Sequence, residues 1–272
     1  MSHERNTESR NPRARGIGSF TTREILELMN DEDQSVAVAV RAAIDEIARA
    51  SDEIAAALEK GGRLRYFGAG TSGRLGVLDA SEAPPTFGVG EQVVRGLIAG
   101  GDGALRTAIE GAEDDGDAGS RDAREHVRSG DVVVGISASG RARYVIAALV
   151  TSRELGARTV ALTCDVAAPL VAAADIPIVV DVGPEVLAGS SRLKAGTATK
   201  LVLNMLSTAA MIRAGRTRGD LMVDLRATNA KLRERAIRMV QGETGLDESA
   251  ARAALESNAW SVRQTLEAHR QR

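Results

Sequence analysis

Residues 63–74 read RLRYFGAGTSGR, and residues 131–142 read DVVVGISASGRA. Each stretch starts as a short apolar run. Each then passes through a Gly/Ser loop that carries an arginine and opens onto apolar residues at helical spacing. Strand, small-residue loop and helix form the front half of a strand–helix–strand unit. Repeats of that unit argue for an α/β fold in three layers, with a mostly parallel sheet flanked by helices. Further strands are expected at Val93–Ala99, Arg158–Thr163 and Ile176–Val182. The helix after residue 74 should stop near Ala83, because Pro84 and Pro85 follow. Other helices are expected from Ala104 to about Glu113, from the SASGR loop (137–141) to about Leu155, and after GSSRLKAGTATK (189–200) to about Ala214. The acidic, glycine-bearing stretch 114–121 reads as a loop.

The flanks differ in texture. Residues 1–20 are polar and aperiodic, which predicts an extended or mobile arm. Thr21 or Thr22 is placed to cap a short helix over 22–30, and Asp33 or Ser35 to start a second helix reaching Lys60, before Gly61-Gly62. From Arg226 onward the pattern is helical only, with breaks near Gly242–Gly245 and around Ser257. The expected organisation is an arm (1–20), an α/β domain with amino-terminal helices (21–225) and a small appendage of three helices (226–272).

Composition narrows the function. The chain has 272 residues, a formal charge of −2 and 2% aromatics. It offers neither the positive field nor the stacking platforms that nucleic acid requires, and no field for an anionic membrane. No apolar run approaches the ~18 residues of a membrane span, and the amino terminus lacks a secretory apolar core. Cys164 is the only cysteine, which fits a reducing cytoplasm. With one cysteine and scattered His3, His126 and His269, no metal-ligand spacing is present.

The loops carry the chemistry. A Gly/Ser/Thr loop between strand and helix presents unpaired backbone N–H groups and the positive end of a helix dipole to an anion. Thr71 and Ser72 add hydroxyl donors in the first loop; Ser137 and Ser139, followed by Gly140, do so in the second. Gly68, Gly70 and Gly73 also satisfy a G-x-G-x-x-G pattern. The acidic residue that a dinucleotide site needs at the end of the next strand comes late, as Asp102 after two glycines, and the hydroxyls suit a monophosphate better. Only four lysines stand against 31 arginines. One of them, Lys194 beside Ser190 and Ser191, is either a point-charge phosphate ligand or an ordinary helix-surface lysine. Glu82 in LDASEAPPT and Glu113 in IEGAEDD both fall near expected helix ends. Either these are solvated end-of-helix residues, or their placement suits proton transfer.

Several blocks taken together resemble one family. NTESRNPRARGIGSFTTREILELMNDED, GAGTSGRLGVLDASEAPPTFG, GLIAGGDGALRTAIEGAEDDGDAG, DVVVGISASGR and GSSRLKAGTATKLVLNMLS are similar to N-acetylmuramic acid 6-phosphate etherases, which are built on the sugar-isomerase (SIS) domain. The likeness covers nearly all of residues 5–240 in order. It implies a cofactor-free cytoplasmic lyase that converts N-acetylmuramic acid 6-phosphate and water to N-acetylglucosamine 6-phosphate and D-lactate. It also implies a homodimer with its active site near the subunit interface. By motif, Glu82 would be the acid that protonates departing lactate, and Glu113 the base at C2. Thr71, Ser72, Ser137, Ser139, Gly140, Ser190, Ser191 and Lys194 lie in the segments that would bind the sugar phosphate. A non-catalytic sugar-phosphate sensor on the same domain would need the phosphate loops but not both glutamates, and the DASE block disfavours an aldose–ketose isomerase. Two features depart from the pattern: similar proteins often continue with another carboxy-terminal helix, and Arg143 follows Ala142 with no assignable role.

Overall fold

Five short runs pair as parallel strands in the computed structural model, which describes residues 8–225, 227 and 229–271. They are β1 (Leu64–Gly68), β2 (Val94–Ile98), β3 (Val132–Ile136), β4 (Arg158–Thr163) and β5 (Ile176–Val179), in the order β2-β1-β3-β4-β5. β1 and β3 are buried at every position, as central strands covered on both faces must be. Phe67 stands in register with Gly135, and Gly135 with Ala161. Side chains alternate across a strand, so this row points to one face and the row through Tyr66 to the other.

Ten helices accompany the strands among the described residues: α1 (Thr22–Ala42), α2 (Ile44–Glu59), α3 (Gly70–Phe87), α4 (Gly116–His126), α5 (Arg143–Glu154), α6 (Pro169–Ala172), α7 (Lys194–Arg213), α8 (Ala230–Thr244), α9 (Glu248–Ser257) and α10 (Val262–Arg270). The Phe67 face packs against Ala123 of α4, Tyr144, Val145, Ala148 and Leu149 of α5, and Leu170 of α6. The opposite face receives α3: a Cβ on Gly76 would lie 3.0 Å from the Tyr66 Cβ, and one on Gly96 2.6 Å from the Val77 backbone. The Tyr66 hydroxyl donates to the buried Asp79 carboxylate of α3 at 2.8 Å. Asn204 and Ser207 of α7 donate to the other oxygen, Oδ1, at 2.8 and 3.1 Å. Burial pushes the Asp79 carboxyl above its ordinary value, against the pull of these donors. Helices on both faces of a parallel sheet make the expected three layers.

The chain divides into two compact units. The first, through Ser81 and again from Gln92 to Ala210, holds the sheet. The second, Glu82–Glu91 with the chain from Met211 onward, closes α8, α9 and α10 on a small core that includes Ile237, Val240, Leu255, Val262 and Leu266. Asn229, Asp247 and Ser261 cap these three helices, and Gly245 ends α8 in the left-handed region.

Several expected boundaries moved, for identifiable reasons. Thr21 does cap the first helix, in a reciprocal box with Glu24, but that helix runs to Ala42 and the break falls at Ala43, not near residue 31. α3 continues past Pro84 and Pro85 to Phe87. The two prolines give up their own N–H groups and crowd the preceding turn, but only at the last turn of the helix, where Gly88 N still reaches the Pro84 carbonyl at 3.0 Å. The helix expected from Ala104 to Glu113 is absent. Two 3₁₀ turns, Asp102–Leu105 and Ala112–Asp114, flank an irregular stretch, while the expected loop 114–121 is largely α4, capped by Asp115. α7 starts at Lys194, so AGTATK is helical. The amino-terminal arm is described from Glu8. It makes 3₁₀ turns at Pro12–Ala14 and Ile17–Ser19, in place of an extended segment, and residues 1–7 lie outside the described residues.

Gly73 sets how closely α3 approaches β1. A Cβ there would meet the Ile98 side chain at 2.6 Å and the Gly68 carbonyl at 2.8 Å. Gly73→Ala should destabilise the protein by about 1–3 kcal/mol through overpacking, read as a lower urea midpoint with an unchanged slope.

Candidate functional site

The chain leaves β1 toward β2 on one side and returns to β3 on the other, so strand order reverses at β1. A crevice opens beyond the carboxyl ends of the two strands at such a reversal, and ligands of open parallel sheets bind there. Both hydroxyl loops lie at this place. Thr71 and Ser72, each half-buried, occupy the first turn of α3 directly after β1. Ser137, Ser139 and Gly140 follow β3. The Ser137 N–H bonds the Leu162 carbonyl, Cys164 N bonds the Ala138 carbonyl, and Leu170 N bonds the Gly140 carbonyl, which pins the loop to β4 and α6. Gly140 has φ +62°, and a Cβ there would meet Ala168 Cβ at 2.2 Å, so this turn admits only glycine.

The third segment meets the first. A Cβ on Gly196 would lie 3.7 Å from both the Thr71 methyl and the Ser191 carbonyl oxygen. Ser190 and Ser191 sit in the turn just before α7, also half-buried. Ser137 is buried, and none of the six hydroxyls of Thr71, Ser72, Ser137, Ser139, Ser190 and Ser191 makes a side-chain hydrogen bond among the described residues. They remain available as donors at one end of the sheet. α5 begins without a side-chain cap, which leaves its first N–H groups open beside Gly140.

α7 begins differently. The buried Glu185 carboxylate accepts from Lys194 N and Ala195 N, both at 3.0 Å, and so closes that helix end to other anions. Lys194 itself is buried, and its Nζ donates to Glu32 of α1 at 2.6 Å. Its ammonium thus has a protein partner, and Lys194 is no ordinary surface lysine. Arg13 donates to the other Glu32 oxygen at 2.9 Å, and Asn11 donates to the Pro184 carbonyl at 3.3 Å, which draws the amino-terminal turns onto the segment ahead of Ser190. Nearby, burial and then the Glu185 and Asp181 carboxylates push the Cys164 thiol up to about 12, so it is no nucleophile.

The carboxylates occupy two different settings. Glu113 is exposed in the 3₁₀ turn Ala112–Asp114, not at a helix end. Ala112 beside it packs on the same core cluster as Ala69, the residue after β1. Arg74 of α3 donates to the Leu105 and Ala104 carbonyls at 3.1 and 2.7 Å and anchors the stretch leading to that turn. Glu82 is exposed on α3, ten residues beyond Ser72 on a helix that does not break at Gly76. The two lie about 15 Å apart along its axis.

Known proteins give this arrangement a family. Residues 46–153 match the model for the glucokinase regulatory protein N-terminal SIS domain, and residues 114–209 match that for the SIS domain. An N-acetylmuramic acid 6-phosphate etherase of Aeromonas hydrophila is 54% identical over 250 residues, covering 92% of this chain and 84% of that one. One from Symbiobacterium thermophilum is 54% identical over 260 residues, 96% and 87% of the two chains. The chain belongs to the N-acetylmuramic acid 6-phosphate etherase family. Among solved structures, a phosphoheptose isomerase of Neisseria gonorrhoeae superimposes with a TM-score of 0.53 at 21% identity, over 70% of this chain and 98% of that one, a likeness of fold. No helix of the described residues is long and apolar enough to cross a membrane.

Sequence reasoning missed the groups that hold this family's loops in place: Glu32, Glu185, Arg74 and Arg13. None of them left a local mark in the sequence that set it apart from ordinary surface charge. Pairing with Lys194 and Arg13 and a bond from Asn11 hold the Glu32 carboxyl below its ordinary value, although burial acts the other way. A carboxyl depressed by folding adds stability above its unfolded value of 4.5, and that stability is lost as pH falls through the folded value. Glu32→Gln should therefore melt below wild type at neutral pH. The two melting temperatures should converge as pH falls through the lowered folded value of Glu32, as differential scanning calorimetry across pH would show.

Proposed function

We propose that this chain is a cofactor-free etherase that cleaves the D-lactyl ether of N-acetylmuramic acid 6-phosphate, with water, to N-acetylglucosamine 6-phosphate and D-lactate. The observation that carries the reading is the combination of both glutamate blocks with three hydroxyl-bearing segments, on a chain 54% identical to etherases over nine-tenths of its length. A sensor would need only the hydroxyl segments. The phosphate takes the hydroxyls of Thr71, Ser72, Ser137, Ser139, Ser190 and Ser191 and the open N–H groups at α3 and α5, with Gly140 allowing close approach. Lys194, in the same segment, adds its positive charge to the phosphate site while its pairing with Glu32 ties α1 to the start of α7. Binding energy from the distant phosphate positions the reacting carbons.

With the sugar ring open, the C1 aldehyde makes the C2 hydrogen acidic. Glu113 removes that proton. The C3–oxygen bond breaks as the C2–C3 double bond forms, and Glu82 protonates the departing lactate. Water then adds at C3 and a proton returns to C2, which restores the saturated sugar. Equal and opposite proton transfers leave the enzyme unchanged.

Glu82 acts on the substrate held by a second copy of the chain, in a cytoplasmic homodimer. Ten residues of unbroken α3 separate Ser72 from Glu82, about 15 Å of helix, farther than C3 lies from its own phosphate. Leu78, 54% exposed, shares a face of α3 with Glu82 four residues on, and such an apolar surface fits an interface built from one patch twice.

Glu82→Gln should still exchange the C2 hydrogen with deuterated water while releasing little lactate, and Glu113→Gln should lose both. NMR of recovered substrate reads the exchange, and the opposite pattern reverses the two roles. Mixing inactive Glu82→Ala with inactive Ser72→Ala protein under subunit exchange should restore lactate release, to at most about half the activity of a wild-type dimer per mixed dimer. No recovery despite demonstrated exchange would place both residues in one subunit's site.

A further inference from the structure

Arg141 ends the loop after β3, and nothing above gives it a task. Its Nε is buried with no hydrogen-bond partner, the one buried side-chain nitrogen or oxygen in that condition among the described residues. Its Nη2 reaches Asp165 Oδ2 only at 3.4 Å, beyond the usual range for N–H···O bonds, and the side chain is 38% exposed. Asp165 uses its other oxygen to accept from Ala167 N at 2.9 Å. The guanidinium is thus loosely tethered beside Ser139 and Gly140, with most of its five donors unengaged.

Several other cations at this end of the sheet have partners. Arg74 holds the Ala104 and Leu105 carbonyls, Lys194 holds Glu32, and Arg13 holds Asp31 and Glu32. The proposed substrate carries two anions, a phosphate at one end and the carboxylate of its lactyl arm at the other. Hydroxyls and helix N-termini suit the tetrahedral phosphate. A planar carboxylate matches the two-pronged edge of a guanidinium.

We propose that Arg141 binds the carboxylate of the substrate's lactyl arm, turning its unpartnered Nε edge from the protein toward that group. The assignment rests on the etherase reading. It makes Arg141 the residue that tells the substrate from its own sugar product, which keeps the phosphate and lacks the carboxylate, and it holds the leaving group while the C3–oxygen bond breaks.

The test compares ligands with and without the carboxylate. Arg141→Ala should lower kcat/KM for N-acetylmuramic acid 6-phosphate by about 10- to 100-fold, while inhibition by N-acetylglucosamine 6-phosphate stays within about twofold of wild type. Arg141→Lys should fall between, as a point charge without the fork. A substrate analogue whose lactyl carboxylate is a carboxamide keeps the test valid should the alanine variant fail to fold. Wild type should lose a similar factor on the amide, and Arg141→Ala should treat acid and amide alike. Equal weakening of the product inhibitor, unimpaired turnover of the amide by wild type, or a carboxylate-specific loss in Arg192→Ala in its place would overturn the proposal. Ser72→Ala serves as the control for the site itself. Unchanged product inhibition there would remove the phosphate site on which the assignment rests, a failure distinct from the others.

Discussion

Everything at the functional end depends on how closely α3 lies against β1. Gly68 and Gly73 touch backbone to backbone, and Gly76 and Gly96 remove the side chains that would hold the helix off the sheet. Because α3 sits so low, its first turn arrives where strand order reverses, beside the loop that leaves β3. The hydrogen bonds from Tyr66, Asn204 and Ser207 to Asp79 then fasten the same helix farther along. An isolated glycine loop is a weak device. A glycine loop whose helix cannot lift away from the sheet is a fixed set of donors.

The two ends of the sheet are treated oppositely. At the amino-terminal edge, polar groups are saturated. Arg63 pairs with Asp131 at 2.6 Å, and Arg65, buried and lowered to about 10 chiefly by desolvation, donates to the carbonyls of Leu64, Gln92 and His126. At the carboxyl edge, the six hydroxyls and, among the described residues, the buried Nε of Arg141 are left with donors to offer. Fully paired polar groups stabilise a fold, whereas available ones at a rigid edge serve a ligand. The separation lets the site carry its unmet hydrogen-bonding capacity without weakening the frame.

The strands were legible because fully buried parallel strands read as continuous apolar runs. Arg158–Thr163 is the same in both readings, and the others differ by at most a few residues at their ends. The glycine loops and the three carboxy-terminal helices were equally plain, since glycine and cap residues mark them directly. Helices set by tertiary contacts were harder. α4 carries acids and glycines that argue for a loop, yet Gly119 lies against the Tyr144 backbone of α5, where any side chain would collide. Its small residues are there for close packing. The stretch before Glu113 misled in the opposite sense, because apolar spacing suggested a helix where Arg74 holds the carbonyls of irregular chain. Pairings across long separations, such as Glu32 with Lys194, leave no local mark. The family resemblance lay in motif blocks that survive such rearrangement of detail.

Glu185 gives the crevice a handedness toward charge. It holds two N–H groups at the start of α7, whereas α5 begins with no side-chain cap. With the first N–H groups of α7 already answered from within the protein, the α7 side has the hydroxyls of Ser190 and Ser191 to offer in their place. A molecule with a charged group at either end does not meet a symmetric trough in which it can lie both ways round. It would meet a keyed socket, in which Glu185, by occupying one helix end, has a share in deciding which end enters first.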